Sequence, residues 1–251
     1  MSALLQLDGV TRRFGGLLAV SEIDAEVTQG EIYGVIGPNG AGKTTLFAMI
    51  AGSLRPTAGK IMLDGHNITG KRAHRVVRRG IARTYQVVRP FPNLTTVENV
   101  EVGLLFGNRR VSNRRVEAIE LVERCGLAGC ADRLSSQLTL SQRKQLEIAR
   151  ALATGPRILL LDEVVAGLNP QEAERLVQLI RELNETGLTI LMIEHVMKAI
   201  MGLADRILVL DHGKPIAHGT PREVSQDPAV VEAYLGRRAA QSLQEPDRAG
   251  G

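Results

Sequence analysis

The sequence predicts an α/β fold with a parallel-sheet core, an antiparallel β subdomain at the N-terminus and a helical subdomain within the chain. Three patterns carry this prediction. Apolar, strand-like runs alternate with helical segments after residue 30, the first 28 residues alternate apolar and polar positions, and residues 88–137 contain no strongly apolar strand. This combination is typical of a sheet that buries both faces under other elements.

The elements follow one another with clear boundaries. The predicted order is two antiparallel strands in 4–27, a strand in 31–37, a helix in 44–52, a strand pair in 59–69, a strand, loop and helix start in 83–103, helices in 114–130 and 141–153, a strand in 157–163, a helix in 170–185, a strand in 188–195, a helix in 196–203 and a hairpin in 206–219. The basic run in 71–80 is interpreted as a solvated helix face, with attraction to an anionic membrane leaflet as the alternative.

Composition excludes several classes of protein. The 251 residues are 44% hydrophobic and 23% charged, which is typical of a globular chain large enough to bury a core. Cys125 and Cys130 are too few for a disulfide framework and are expected to be free thiols in a reducing compartment. With a net charge of +4, 3% aromatic residues and no Trp, a base-stacking surface has little to be built from, so no nucleic-acid partner is expected.

The chain is expected to work in the cytoplasm. No apolar run approaches the roughly 20 residues that a membrane-spanning helix needs. The N-terminal residues lack the basic start and apolar stretch of a signal peptide. If the protein works at a membrane, a partner must hold it there.

The strongest motif is GPNGAGKTT, which fits the phosphate-binding pattern G-x-x-x-x-G-K-[ST] between a predicted strand and a predicted helix. Glycines let successive backbone N–H groups point at one anion, and the helix adds its positive dipole end. Lys43 would reach the β- and γ-phosphates of a nucleotide, and Thr44 would place its hydroxyl on Mg²⁺. The predicted nucleotide-binding residues are Gly37, Pro38, Asn39, Gly40, Ala41, Gly42, Lys43, Thr44 and Thr45.

Two acids follow the buried strand RILLL. Asp162 and Glu163 therefore lie at a strand end, where ligands bind in open α/β sheets. Asp162 would join the Mg²⁺ shell, and Glu163 would polarise a water against the γ-phosphate. The alternative, an acid pair that only caps the next helix, does not explain why both acids follow four apolar residues.

A third segment, LTLSQRKQLEIARALATGPRILLLDE, resembles the signature region of ATP-binding-cassette (ABC) ATPases. The order of glycine-rich loop, Gln86, signature, Asp-Glu, AGLNP and Glu-His matches that family along most of the chain. The resemblance implies a RecA-like parallel core and a head-to-tail pair of cassettes. In such a pair, ATP lies between the P-loop of one copy and the signature of the other.

The resemblance also implies roles for single residues. Gln86 looks like the Q-loop glutamine, which contacts Mg²⁺ or the attacking water, and His195 resembles the histidine that contacts the γ-phosphate. Phe14 is similar to the aromatic residue that stacks on adenine, and residues 166–169 occupy the position of the D-loop at the dimer interface. The expected nucleotide contacts of the signature are Thr139, Ser141 and Gln142.

The signature departs from the family pattern L-S-G-G-Q. Leu140 and Ser141 replace both glycines, and a side chain at Ser141 would crowd a phosphate or force a strained φ. Val164 and Val196 also stand where the family commonly has proline and an acid. Because a signature serves the partner's nucleotide, we expect a heterodimer in which this chain hydrolyses ATP and the partner's nucleotide turns over slowly.

Four further stretches are similar to the ATP-binding subunits of importers for branched-chain amino acids and for urea or short amides. They are RRFGGLLAV, GIARTYQVVRPFPNLTTVENVEVG, AGLNPQEAERL and GKPIAHGTPREVSQDPAVVEAYLG. The resemblance covers residues 4–236 as one nucleotide-binding domain, with a helical subdomain near 88–155 and a disordered tail at 237–251. The resemblance implies ATP and Mg²⁺ as cofactors. It also implies a second ABC ATPase subunit in a homo- or heterodimer, two transmembrane permease subunits that dock near 91–107, and a solute-binding protein. The expected location is peripheral, on the cytoplasmic face of the membrane. A non-transport cassette ATPase and a nucleotide-gated module with weak hydrolysis remain as alternatives.

Overall fold

The computed structural model describes residues 3–85, 88–107 and 111–235. Gln86 and the predicted tail at 237–251 lie outside the described residues. The strands are β1 (Ala3–Phe14), β2 (Leu17–Thr28), β3 (Ile32–Ile36), β4 (Ala58–Leu63), β5 (His66–Asn67), β6 (Ile81–Arg83), β7 (Ile158–Asp162), β8 (Thr189–Ile193), β9 (Arg206–Asp211) and β10 (Lys214–Gly219). The helices are α1 (Lys43–Ile50), α2 (Ala73–Val77), α3 (Thr96–Phe106), α4 (Arg114–Arg124), α5 (Leu140–Ala153), α6 (Pro170–Glu185), α7 (Met197–Leu203), α8 (Pro221–Gln226) and α9 (Pro228–Leu235).

The described strands form two sheets. The first has four strands in the order β2-β1-β4-β5, and every neighbouring pair in it is antiparallel. The second has six strands in the order β10-β9-β3-β8-β7-β6 and is parallel except for the β9–β10 hairpin. The predicted α/β class, the parallel core and the N-terminal antiparallel subdomain are therefore confirmed.

The six-stranded sheet buries both faces, and alternate residues of each strand point to opposite sides. In β7, Leu159 and Leu161 pack with the α3–α7 side, while Ile158 and Leu160 pack with α1 and the four-stranded sheet. All five residues of β7 are buried. The continuous apolar runs in the sequence thus correspond to strands covered on both faces.

Helices α3, α4 and α5 lie between β6 and β7, and the described residues of this region contain none of the strands β1 to β10. The buried amide of Asn99 organises the turn that precedes them, because its Nδ2 donates to the carbonyls of Phe91, Leu94 and Thr95. Its Oδ1 accepts from the Phe91 N–H at 2.8 Å. One polar side chain therefore satisfies four backbone groups of a loop that carries two prolines.

Two regions differ from the prediction. The helix expected over 114–130 ends at Arg124, because Gly126 has a φ of +75°, and a short 3-10 helix (Ala128–Cys130) follows. Helices α8 and α9 were not predicted; both begin at a proline, and Thr220 and Glu223 form a capping box at the first. Within the described ranges, no helix is long and apolar enough to cross a membrane.

Candidate functional site

The glycine-rich loop between β3 and α1 has a backbone that only glycine adopts easily. Gly37, Gly40 and Gly42 have φ angles of +148°, +82° and +99°. A Cβ at Gly37 would lie 2.0 Å from the Leu210 carbonyl oxygen, and one at Gly42 would lie 2.5 Å from that of Ala19. The loop is therefore shaped both by its own dihedrals and by close backbone neighbours from β9 and β2. Its curl and the following helix N-terminus fit a phosphate group.

Lys43 opens α1 and is buried, with 5% of its surface exposed. Its Nζ donates to the carbonyl oxygens of Gly37 at 2.6 Å and Pro38 at 2.9 Å. Burial lowers the pKa of Lys43, while the nearby charges of Glu163 and Asp162 act to raise it. The structure thus places the predicted phosphate-binding lysine within electrostatic reach of both predicted acids.

Asp162 ends β7 and is 2% exposed. Its Oδ2 accepts from Arg83 Nη2 at 2.6 Å, and the guanidinium is itself largely buried. The buried Oδ1 has no hydrogen-bond partner among the described residues. Thr44 lines the same cleft as Asp162. A hydroxyl and an unsatisfied carboxylate oxygen at one cleft are the oxygen donors that Mg²⁺ takes in phosphate sites, so these residues fit that ion.

Glu163 has a φ of +52°, which is uncommon for a residue with a side chain. Its N–H donates to the Ile193 carbonyl at 2.9 Å, which ties it to the end of β8. Its carbonyl accepts from Lys144 Nζ at 3.0 Å. Its side-chain Oε1 lies 2.6 Å from His195 Nε2. The backbone and the carboxylate of Glu163 are therefore held by separate segments of the chain.

His195 lies two residues beyond β8 and is partly exposed. Its contact with Glu163 brings together the two predicted catalytic residues that follow neighbouring strands β7 and β8. The adjacent Val164, which stands where the family commonly has proline, is buried in the core. Val196, in the position where an acid is common, is 40% exposed and precedes α7.

The predicted signature residues lie elsewhere. Thr139, Ser141 and Gln142 line a groove between the N-terminal end of α5, one side of α6 and the end of α4, and none of the glycine-loop residues lines it. Thr139 and Gln142 form a capping box, and the Gln142 Nε2 also donates to Cys130 Sγ at 3.3 Å. The structure therefore does not bring these residues to Lys43 of the same chain.

Phe14 ends β1 beside the hairpin turn and is 44% exposed. The Arg12 guanidinium carbon lies 4.4 Å from the centre of its ring, in cation–π geometry. An exposed ring in this subdomain agrees with a surface role, and its contact with adenine stays a prediction.

Sequence reasoning missed three buried charged groups at this site: Arg83, Lys144 and Glu194. Arg83 pairs with Asp162, and Lys144 donates to main-chain carbonyls near Glu163. Glu194 directly precedes His195 at the end of an apolar strand, which is the one signal that could have drawn attention to it. The site as a whole, a glycine loop with a buried lysine facing two acids at the strand ends, defines a P-loop nucleotide-binding protein.

Comparison with known proteins agrees with this class. A family model described as ABC transporter matches residues 20–166, and one described as branched-chain amino acid ATP-binding cassette transporter matches residues 214–240. The chain belongs to the ABC transporter ATP-binding family and is an ATPase of that family.

Curated relatives match over nearly their whole length. The high-affinity branched-chain amino acid transport ATP-binding protein BraF of Pseudomonas aeruginosa is 42% identical over 249 residues, covering 93% of this chain and 98% of BraF. LivG of Escherichia coli K12, named for the same transport, is 44% identical with the same coverage. The lipopolysaccharide export system ATP-binding protein LptB of Haemophilus influenzae is 35% identical and covers 94% of this chain and 98% of LptB.

Solved structures share the fold. The ADP conformation of MJ1267, an ATP-binding cassette of an ABC transporter, has a TM-score of 0.86 at 30% identity and covers 94% of this chain and 100% of that one. A dimeric structure of the bacterial cassette MJ0796 has a TM-score of 0.78 at 28% identity, over 87% of this chain and 99% of that one.

Proposed function

We propose that this chain is the ATP-hydrolysing subunit of an importer for branched-chain amino acids or a related amide- or urea-type solute. The observation that carries the hydrolytic part is the contact between Glu163 and His195 beside the buried Lys43. The solute class rests on the names of BraF and LivG and on the match of residues 214–240.

The nucleotide-binding residues of this proposal are Gly37 to Thr45, whose N–H groups and helix terminus face the phosphates. Lys43 supplies positive charge to the β- and γ-phosphates, and Thr44 and Asp162 hold Mg²⁺, with Gln86 as a further ligand or water contact. When bound, Mg²⁺ neutralises charge on the phosphate oxygens. The exposed ring of Phe14 would stack on adenine.

Glu163 acts as the general base in this mechanism. Its carboxylate takes a proton from the attacking water as the new bond from oxygen to the γ-phosphorus forms, and the bond from that phosphorus to the bridging oxygen breaks to release ADP. His195 contacts Oε1 of that carboxylate through its Nε2 at 2.6 Å, and in this proposal it would also contact the γ-phosphate. The catalytic set is thus Glu163, His195, Gln86 and Lys43.

The assembly we propose has two cassettes, two membrane permease subunits and a solute-binding protein, with the chain peripheral on the cytoplasmic membrane face. The separation of the groove at Thr139, Ser141 and Gln142 from the glycine loop supports a composite site in which this signature completes the partner's nucleotide pocket. Residues 4–236 form the nucleotide-binding domain. The helical subdomain near 88–155 receives the permease.

A heterodimer is favoured because of the altered signature. Leu140 is 48% exposed at the start of α5, and the side chain of Ser141 lines the groove that would face the partner's phosphate. We expect Ser141→Gly to raise the ATPase rate of the assembled complex while leaving the rate of the isolated chain unchanged. An unaltered rate in the complex would contradict the idea that this signature slows the partner's site.

The first experiment measures ATP hydrolysis by the purified chain, alone and assembled with its membrane subunits and second cassette. We expect activity to rise on assembly and to disappear in Glu163→Gln, with ATP binding retained. Glu185→Gln, at an exposed acid of α6 that does not line the groove at Thr139, is the matched control. Activity indifferent to assembly would indicate a soluble ATPase instead. Binding without hydrolysis in every assembly would indicate a nucleotide-gated module.

A further inference from the structure

The side chain of Lys144 crosses from α5 to the loop that follows β7. Lys144 is 5% exposed, and its Nζ donates to two main-chain carbonyl oxygens, those of Glu163 at 3.0 Å and Ala166 at 2.6 Å. A buried amino group is retained only where its hydrogen bonds and its charge are compensated. One side chain of α5 therefore fixes both ends of the segment 163–166.

Glu194 holds the same segment from the other side. It is 1% exposed, and its Oε1 accepts from the Val165 N–H at 2.8 Å. Its buried Oε2 has no hydrogen-bond partner among the described residues. Lys144 and Glu194 also interact electrostatically, because each acts on the pKa of the other against the effect of burial. Lys144 and Glu194, which we call the clamp, thus bind the backbone of Glu163, Val165 and Ala166 in one short loop.

This clamp acts on a strained residue. Glu163 keeps a φ of +52°, a conformation that is unfavourable for a residue with a side chain, so it persists only where its surroundings hold it. The holding bonds are those to Ile193 and Lys144 on its backbone. Removal of one of them would let the carboxylate leave the position in which it contacts His195.

The clamp begins one helical turn from the signature. Leu140 and Lys144 are four residues apart at the N-terminal end of α5, so they lie on one face of that helix. Leu140 also lies near the end of the loop, because a Cβ added at Gly167 would be 3.4 Å from Leu140 Cδ2. A movement at the start of α5 would therefore reach Glu163 through the buried side chain of Lys144.

We propose that Lys144 and Glu194 are positioning residues that couple the signature end of α5 to the catalytic carboxylate of Glu163. The inference deepens the proposed function. The partner's nucleotide would bind at the signature of this chain, and the clamp would pass the resulting shift of α5 to the base that acts on this chain's own nucleotide. Neither residue lines the cleft that contains Thr44 and Asp162.

The test compares Lys144→Met and Lys144→Arg with Arg143→Met, the neighbouring cation on α5 whose Nη2 donates to the Ser136 carbonyl instead. In the assembled complex we expect Lys144→Met to lower kcat about tenfold with little change in KM for ATP, since about 1.4 kcal/mol of transition-state stabilisation corresponds to that factor. Lys144→Arg should restore part of the rate because it keeps charge and donors. Equal losses in Lys144→Met and Arg143→Met would overturn the proposal.

A second measurement does not depend on hydrolysis. In the isolated chain, amide hydrogen exchange at residues 163–167 should be faster in Lys144→Met and in Glu194→Met, which lose the donor and the acceptor respectively, than in wild type, while exchange in β3 and β8 stays the same. Unchanged exchange in that loop would refute the clamp even if the proposed transport function holds. If the wild-type complex lacks ATPase activity, the proposed function fails, and the exchange result still decides on the clamp. Should Lys144→Met not fold, Glu194→Met carries the same comparison, because it removes the acceptor of the Val165 N–H.

Discussion

Buried ionisable side chains determine most of the chemistry at the strand ends. Lys43, Lys144 and Glu194 are each at least nine-tenths buried, and each is tied to main-chain atoms rather than to a single opposite charge. Main-chain partners do not move without the backbone, so these charges both stabilise the loops and depend on them. Substitution of any one leaves unsatisfied polar groups inside the protein, which is where large effects are expected.

Stability should depend on pH through Glu194. Burial raises its pKa in the folded chain to about 7 from an ordinary value of 4.5, against the opposing effects of the Val165 and His195 N–H groups and of Lys144, with Glu163 adding to the rise. A raised carboxyl pKa contributes stability that is fully present below the unfolded value and is lost as the pH rises to about 7. Wild type should therefore lose about 1–3 kcal/mol relative to Glu194→Gln between pH 5 and 8. Thermal midpoints of both proteins across that range test this, and parallel curves would contradict it.

The glycine loop should tolerate no side chain at Gly42. A Cβ there would lie 2.5 Å from the Ala19 carbonyl oxygen, and the φ of +99° is itself unfavourable for alanine. We expect Gly42→Ala to lower the free energy of unfolding by about 2–4 kcal/mol. Gly16→Ala, where nothing lies within 4 Å and φ is not positive, is the matched control. Chemical denaturation of both variants gives the comparison, and similar midpoints would show that the loop can shift.

The sequence predicted some residues of the site and could not predict others. Lys43, Asp162 and Glu163 belong to short motifs whose spacing alone carries the chemistry, and the structure places their charges within reach of one another. Arg83 and Lys144 act on groups 79 and 19 residues away in the chain. These pairs form because of the strand order and the packing of α5 on the sheet. Neither can be read from a short stretch of sequence.

At the level of elements, the sequence indicates where helices begin more clearly than where they end. Complete capping boxes open α3, α5, α6 and α8, and each combines a Thr or Asn with a Glu or Gln three residues later. The end of α4 was predicted too late because the apolar spacing continues past Gly126, whose left-handed φ stops the helix. The last two helices were missed because they are short and their apolar periodicity spans only two turns or fewer.

The cap of α3 offers a test away from the catalytic residues. The Thr95 side chain accepts from the Glu98 N–H, and Glu98 Oε2 accepts from the Thr95 N–H at 2.7 Å. Thr95→Ala should lower the free energy of unfolding by about 1 kcal/mol, whereas Thr95→Ser should be nearly neutral because it keeps the hydroxyl. Urea titration of both variants measures the difference. A loss in Thr95→Ser equal to that in Thr95→Ala would assign the effect to packing of the methyl group instead.

For the whole molecule, the sequence predicted the layers of the fold but not the order of the strands within the sheet. Alternating strands and helices implied a buried parallel sheet, and both faces are indeed covered. The order β10-β9-β3-β8-β7-β6 requires contacts between strands far apart in sequence. Right-handed crossovers limit the possible orders without choosing one.

The surface for the membrane partner should lie at the end of α3. Leu105 and Phe106 are 55% and 69% exposed, and Phe106 lies at the edge of the same cleft that Thr44 and Asp162 line. We expect Phe106→Ser to reduce the rise of ATPase activity on assembly by at least about fivefold while the isolated chain keeps its thermal midpoint, because an exposed apolar anchor contributes to binding and not to the fold. Leu17→Ser, which removes an exposed apolar side chain at the start of β2, should leave the rise in activity on assembly intact. Normal stimulation of Phe106→Ser would move the docking surface elsewhere.

The distance between the signature groove and the glycine loop has a consequence for cells that carry two versions of this chain. A copy that binds nucleotide but cannot hydrolyse it, such as Glu163→Gln, keeps its groove, its exposed α3 end and its fold. In the proposed assembly it would therefore compete with normal copies for the same permeases and occupy them without hydrolysing ATP. Uptake should fall in proportion to the share of defective copies rather than stay at the level set by the normal ones, so the defect would be dominant.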